Sequence, residues 1–188
     1  MKKVVGNVWD VIHEYDVFCI PTNGYVKKSD GKAVMGAGVA KEAKNAIEGI
    51  DETLGELLSK NMARHDKDDL SEPWNVPYYL GELECDTHIF SFPVKPTVAI
   101  AGGLNEHILE RFRSGLRDGW KVQGWQAQAI PELIVRSAEY LVEIVNFKKF
   151  ESVLVPKPGC GNGGLKWSDI KPLLQDVFDD RFSIIDKR

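Results

Sequence analysis

Two glycine-rich segments hold most of the residues whose type and spacing can do chemistry. The first is Met35-Gly36-Ala37-Gly38-Val39-Ala40; the second is Lys157-Pro158-Gly159-Cys160-Gly161-Asn162-Gly163-Gly164-Leu165. Glycines let a backbone adopt positive φ and bring its N–H groups close to a ligand. A helix starting just beyond adds the positive end of its dipole. Each segment lies between a predicted strand and a predicted helix, and the pair suits a diphosphate, whose charge needs many donors in a small space. In α/β sheets such pockets lie beyond the carboxyl ends of the strands, which would put both loops on one side of the molecule. Either segment alone also reads as a tight turn chosen for geometry, since short glycine patterns discriminate weakly. The second, directly after an apolar strand, is the stronger signal. Neither is followed by Gly-Lys-Ser/Thr, and no dinucleotide fingerprint follows the first strand, which argues against an ATPase or a dehydrogenase.

Other reactive side chains are set aside on spacing. His13, His65, His88 and His107 are scattered, with no metal pattern. Cys19, Cys85 and Cys160 match neither a disulfide framework nor a zinc site and read as reduced thiols. Cys160 sits in the second loop, but no histidine lies near it in sequence to make it a nucleophile. No metal and no cofactor is expected. Core packing is the default for the five tryptophans; Trp9, close to Asn7, is the choice if one stacks on a base. Lys27-Lys28 reads as a solvated pair.

The elements that must position these residues follow from periodicity. Strands are expected over Lys3–Val8, Asp16–Pro21, Ser152–Pro156 and Phe182–Asp186, with a hairpin from Tyr78–Glu84 and Thr87–Pro93 joined at Cys85-Asp86. Helices are expected from Val39 (Ala40, Ala43 and Ile47 on one face), over Asp51–Arg64, over Asn105–Leu116, and from Pro131 through Val145. A last one starts near Ser168 as N-cap, with Ile170, Leu173, Leu174, Val177 and Phe178 inward. The apolar run Ser152–Pro156 should be central and covered on both faces. Strands alternating with helices, with one hairpin intruding, predict a mixed sheet between helical layers.

At 188 residues, 43% hydrophobic and 28% charged, the chain fits one domain. No apolar stretch approaches the roughly 20 residues that cross a bilayer, and the N-terminus carries no export signal, so a cytoplasmic monomer away from membranes is expected. A net charge of -4 argues against general nucleic-acid binding. It leaves a nucleotide ligand open, because backbone amides can hold phosphate on an acidic protein.

The order of these motifs resembles the macrodomain family: Gly6-Asn7, a strand ending near Asn23, the loop Met35–Ala40, and VPKPGCGNGGLKW from Val155 to Trp167. Within the family the chain is most similar to the branch holding the terminal ADP-ribose protein glycohydrolase and the antitoxin macrodomains that remove ADP-ribose from DNA. The resemblance spans nearly the whole chain as a single macrodomain, with 96–128 as an unmatched insertion and a candidate lid. It implies a three-layer α/β/α fold with a central mixed sheet, and ADP-ribose or an ADP-ribosylated substrate as partner. Gly36, Ala37, Gly38 and Val39 would wrap the diphosphate and distal ribose from one side, and Gly159, Cys160, Gly161, Asn162, Gly163 and Gly164 from the other. Asn23 would lie near the distal ribose. Asn7 stands where many members have an aspartate that accepts from the adenine amino group.

Lys95 falls where this branch has a lysine implicated in glycosidic cleavage; an amine can attack an anomeric carbon once its charge is suppressed. The alternatives are a cation that stabilises a leaving group or a phosphate, or a surface residue leaving an edge strand. The glycohydrolase has an aspartate where this chain has Gly163, and the DNA-directed antitoxins lack it. The resemblance thus leaves three functions open: removal of ADP-ribose from a macromolecule, hydrolysis of ADP-ribose 1''-phosphate, and non-catalytic binding of ADP-ribose or a related NAD-derived nucleotide.

Overall fold

The computed structural model describes residues 1–66, 69, 71–102 and 107–186. In chain order the elements are β1 (Lys2–Val5), α1 (Val8–Val11), β2 (Val17–Asn23), α2 (Gly38–Ala46), α3 (Ile50–Met62), β3 (Tyr79–Glu82), β4 (His88–Lys95), β5 (Val98–Ile100), β6 (Lys121–Gln123), α4 (Pro131–Lys148), β7 (Val153–Pro156), α5 (Trp167–Gln175) and β8 (Phe182–Asp186). Six strands form one sheet in the order β1-β8-β7-β2-β4-β3. Every pairing is parallel except β3 on β4, the expected hairpin. The architecture is the α/β one expected, a mixed sheet with helices on both faces.

Alternation along the strands divides the interior in two. On β2, Val17 and Cys19 join one core with Ile134, Ala138, Leu141 and Val145 of α4 and Ile170 and Leu174 of α5. Phe18 and Ile20 join the other with Val8 of α1, Ala43 of α2, and Ile50, Leu54 and Leu58 of α3. The four α4 residues recur at the helical period and are all fully buried; burial of each large one is worth about 1.5–3 kcal/mol. Strand β7 is buried at all four positions between β8 and β2. The carboxyl ends of the five parallel strands therefore lie along one edge, at Val5, Asp186, Pro156, Asn23 and Lys95.

Four expectations change. The first strand stops at Val5, because Val8 already begins a helix capped by the Asn7 side chain. The helix expected over Asn105–Leu116 is a single 3-10 turn, Glu110–Phe112; its residues 105 and 106 lie outside the described residues. Here Ile108 bridges Ala127 and the Leu109 N–H goes to the Gln126 carbonyl at 3.1 Å, so the backbone is spent on extended pairing. Helix α5 starts at Trp167 with Lys166 in the cap position, and the Ser168 hydroxyl donates to Asp169 at 2.9 Å. Leu173 is 38% exposed rather than inward. The segment after β4 forms its own unit, the antiparallel pair β5–β6 over a small core of Ala99, Ala101, Ile108, Val122 and Ala127.

Candidate functional site

A cavity of about 810 Å³ opens along the carboxyl edge of the parallel strands. Both glycine loops line it. The first loop ends in the N-terminus of α2, where Gly38 has φ 55, and a Cβ at Gly38 would sit 3.4 Å from the Asn162 side-chain nitrogen. The two loops thus meet across the cavity. The second loop folds on itself: the Leu165 N–H donates to the Gly159 carbonyl at 3.0 Å, and the Ala129 N–H to that of Gly163 at 2.9 Å. A Cβ at Gly163 would lie 2.3 Å from the Gly159 carbonyl oxygen, closer than any side chain tolerates. The loop geometry itself therefore rules out an acidic side chain at this position.

Of the residues singled out from sequence, Asn23, Gly36, Ala37, Gly38, Val39, Lys95, Gly159, Cys160, Gly161, Asn162 and Gly163 line this one cavity. Both ends of the Asn23 amide are engaged by backbone, donating to the Val34 carbonyl at 2.8 Å and accepting from the Tyr25 N–H at 3.0 Å. This ties the end of β2 to the approach of the first loop. Burial pushes the Cys160 thiol up to about 11, which removes it as a thiolate nucleophile. Asn7 and Gly164 are not among the lining residues. Asn7 is exposed and its side-chain oxygen accepts from the Trp9 N–H at 3.4 Å. Gly164 faces Gln128, its carbonyl accepting from that side-chain amide at 3.2 Å. Trp9 donates to Glu42 at 3.1 Å and packs edge-on against Phe18, outside the cavity lining.

Lys95 is not a surface residue: it is 7% exposed, on a strand flanked on both sides. Its Nζ donates to the Asn162 carbonyl at 2.8 Å and the Trp125 carbonyl at 3.2 Å, joining the second loop to the turn that follows β6. Burial, and then the nearby Arg111 guanidinium, push its amine down to about 8. It can serve as a neutral amine or as a cation within one pH unit of neutrality.

Fourteen lining residues were not singled out as ligands from sequence, and six of them, with charged or aromatic side chains, lie at the two ends of the cavity. At the β4 end, Arg111, Phe112 and Trp125 come from the segments flanking the β5–β6 pair. The Phe112 and Trp125 rings meet edge to face at 5.1 Å, and Arg111 lies 4.9 Å above Phe112. At the β8 end, Lys157 and Asp186 form an ion pair, with the Lys157 ammonium 5.7 Å over the Trp167 ring. Of these six, only Lys157 and Trp167 had a signal, as members of the second motif. Among the described residues, no group of three His, Cys, Asp or Glu is placed to hold a metal ion, and no helix is long and apolar enough to cross a membrane.

No family model matches the chain, and no curated protein matches it in sequence. Solved structures do. Thermosipho africanus DarTG in complex with ADP-ribose is 17% identical with a TM-score of 0.66, covering 100% of this chain and 42% of that one. The macrodomain of Thermus aquaticus DarG is 18% identical, covers 100% of this chain and 97% of its own, and has a TM-score of 0.62. The macrodomain of Mycobacterium tuberculosis DarG is 18% identical with a TM-score of 0.59, covering 97% of each chain. The chain has the macrodomain fold.

Proposed function

We propose that this chain binds ADP-ribose in the 810 Å³ cavity and hydrolyses the bond at C1'' of the distal ribose in an ADP-ribosylated substrate. The observation that carries the reading is the approach of Gly38 to Asn162, which turns two loops and one helix N-terminus onto the same volume. Backbone amides there supply the donors a diphosphate needs. The solved DarTG complex with ADP-ribose supports the choice of ligand.

The sheet order supports one orientation of the ligand. From β8 to β4 the sheet order crosses three strand spacings, roughly 14 Å at about 4.8 Å each. With the diphosphate over β7 and β2, one end of the ligand reaches Asp186 and the other Lys95. Lys95 is the group with glycosidic chemistry, so the distal ribose lies there and the base lies at Asp186, Lys157 and Trp167. Asp186 sits one strand over from Asn7 in the sheet, pairing with Val5. In this reading it replaces Asn7 as acceptor for the adenine amino group.

The neutral Lys95 amine attacks C1''. The bond from C1'' to the leaving atom breaks, its electron pair departing with that atom, which takes up a proton. The glycosyl-amine loses a proton, and water then releases ADP-ribose and restores Lys95. The insertion at 96–128, which brings Arg111 and Trp125 to this end, borders the leaving group. The test is titration with ADP-ribose, followed by incubation with ADP-ribosylated protein, ADP-ribosylated DNA and ADP-ribose 1''-phosphate, for wild type and Lys95→Ala. Tight binding, with release of ADP-ribose that Lys95→Ala abolishes, is expected. Binding without turnover of any substrate would leave a non-catalytic module.

A further inference from the structure

Lys95 owes its direction to an irregular corner. Thr22 pairs with Pro93 and Asn23 with Lys95, so the register of β2 on β4 slips past Val94. Such a bulge re-aims a side chain, and it falls on a strand buried at every position from Ile89 to Lys95. The corner that follows is held from outside by the turn at residues 72–75. Glu72 is 7% exposed and has φ 47, a backbone conformation that costs of order 1–3 kcal/mol and persists only where the surroundings enforce it. Its two carboxylate oxygens accept from the Thr97 N–H at 2.7 and 2.8 Å, and one also accepts from Asn75 Nδ2 at 3.0 Å. The same Nδ2 donates to the Lys95 carbonyl at 3.0 Å. Arg136 does not bond the carboxylate: it donates to the carbonyls of Ser71, Glu72 and Asn75, fixing the turn itself.

The corner also holds the insertion. The Thr97 carbonyl accepts from the Gly124 N–H at 2.8 Å, and a Cβ on Gly124 would fall 1.8 Å from the Pro96 carbonyl oxygen. The next residue is Trp125, whose carbonyl accepts from Lys95. A chain of bonds thus runs from Glu72 through Thr97 and Gly124 to an acceptor of the lysine ammonium. A second, shorter one runs through Asn75 to the lysine's own carbonyl.

We propose that Glu72 is a positioning residue for Lys95, fixing the corner from which both the lysine's backbone and its Trp125 acceptor hang. The inference rests on the reading of Lys95 as the group acting at the distal ribose. Glutamine cannot replace Glu72. With its oxygen on Thr97, its NH2 faces the Asn75 NH2. Turning the Asn75 amide over to relieve that would set its oxygen against the Lys95 carbonyl.

The test compares wild type, Glu72→Gln and Asn75→Ala by ADP-ribose calorimetry, by turnover of the best ADP-ribosylated substrate, and by the pH dependence of Lys95 acetylation with acetic anhydride, read by peptide mass spectrometry. Expected for Glu72→Gln is a fall in kcat of about 10- to 100-fold, with ADP-ribose affinity held within about twofold. The acetylation midpoint rises by about one pH unit as water reaches the amine. Asn75→Ala moves the same readouts less, and carries the test if Glu72→Gln does not fold. Unchanged kcat and acetylation in both variants would overturn the proposal, as would kcat and affinity falling together in step with a lowered unfolding midpoint. Acetylation needs no substrate. If wild type binds no ADP-ribose, or Lys95→Ala turns over normally, the functional reading fails while the midpoint still decides whether Glu72 positions the lysine.

Discussion

Changing Lys95 to methionine, which keeps length and removes charge, separates what this residue does for catalysis from what it costs the fold. With its amine at about 8 rather than the ordinary 10.5, about a tenth of Lys95 is neutral at pH 7, against about 0.03% for an ordinary lysine, a gain of roughly 300-fold in free nucleophile. Wild-type kcat is therefore expected to rise about tenfold from pH 6 to 7 and level off above about pH 8. Arg111→Ala, which removes the second cause of the shift, moves that midpoint upward and lowers the rate at pH 7.

Stability runs with a definite sign. The unfolded lysine holds its proton up to its ordinary value and the folded one only to about 8, so between those values the unfolded chain binds more protons and wild-type stability rises with pH. Below pH 8 the cost of burying the ammonium is present in full, about 3 kcal/mol from the size of the shift. The Asn162 and Trp125 carbonyls offset part of it. In urea unfolding at pH 7, Lys95→Met should be inactive yet more stable by up to about 3 kcal/mol, with the gap closing toward pH 10.5. Turnover that declines above pH 8 would make the ammonium the active form. A methionine variant less stable than wild type would refute the claim that the buried charge is a burden.

Three further outcomes follow from the geometry. Gly163→Asp, which inserts the acid of the glycohydrolase-like pattern, should abolish ADP-ribose binding rather than add turnover, because its Cβ would lie 2.3 Å from a backbone oxygen of the same loop; calorimetry checks this. Asp186→Ala should weaken ADP-ribose by about 1.5 kcal/mol, roughly tenfold, while Asn7→Ala changes affinity little, since Asn7 is exposed and caps α1; both are read by titration. Gly124→Ala should push the β6 strand and the turn after it off the Pro96 carbonyl, lowering kcat and opening residues 98–102 and 107–126 to hydrogen exchange while the α4 amides stay protected.

The parts legible in sequence are those whose geometry repeats. Ile134, Ala138, Leu141 and Val145 announce α4 because one helical face is fully buried, and β7 reads as central because both its faces are covered. The glycine loops are legible as well, since approach as close as that of Gly163 to Gly159 admits no other residue. Lys95 could be picked out by type and place, but its burial could not: β4 is buried at every position from Ile89 to Lys95 because it lies between β3 and β2, the latter about 70 residues away in sequence. The β8 end of the cavity is hidden for a similar reason, being assembled from the ends of β7 and β8 and the start of α5. The described residues between 96 and 128 show no period because they pair as short extended pieces, Val98–Ile100 with Lys121–Gln123 and Ile108 with Ala127. Asn7 is not among the residues that line the cavity, whereas Asp186, which pairs with Val5 across β1 and β8, is.

The most direct measurement is a calorimetric titration with ADP-ribose, set beside adenosine and ribose 5-phosphate, which lack the diphosphate. Convergence of the Gly36–Ala40 and Gly159–Leu165 loops on one pyrophosphate predicts a single saturable site for ADP-ribose, with binding at least about 100-fold weaker, some 2.7 kcal/mol, for either fragment. Absence of heat with ADP-ribose, or equal affinity for adenosine, would contradict it.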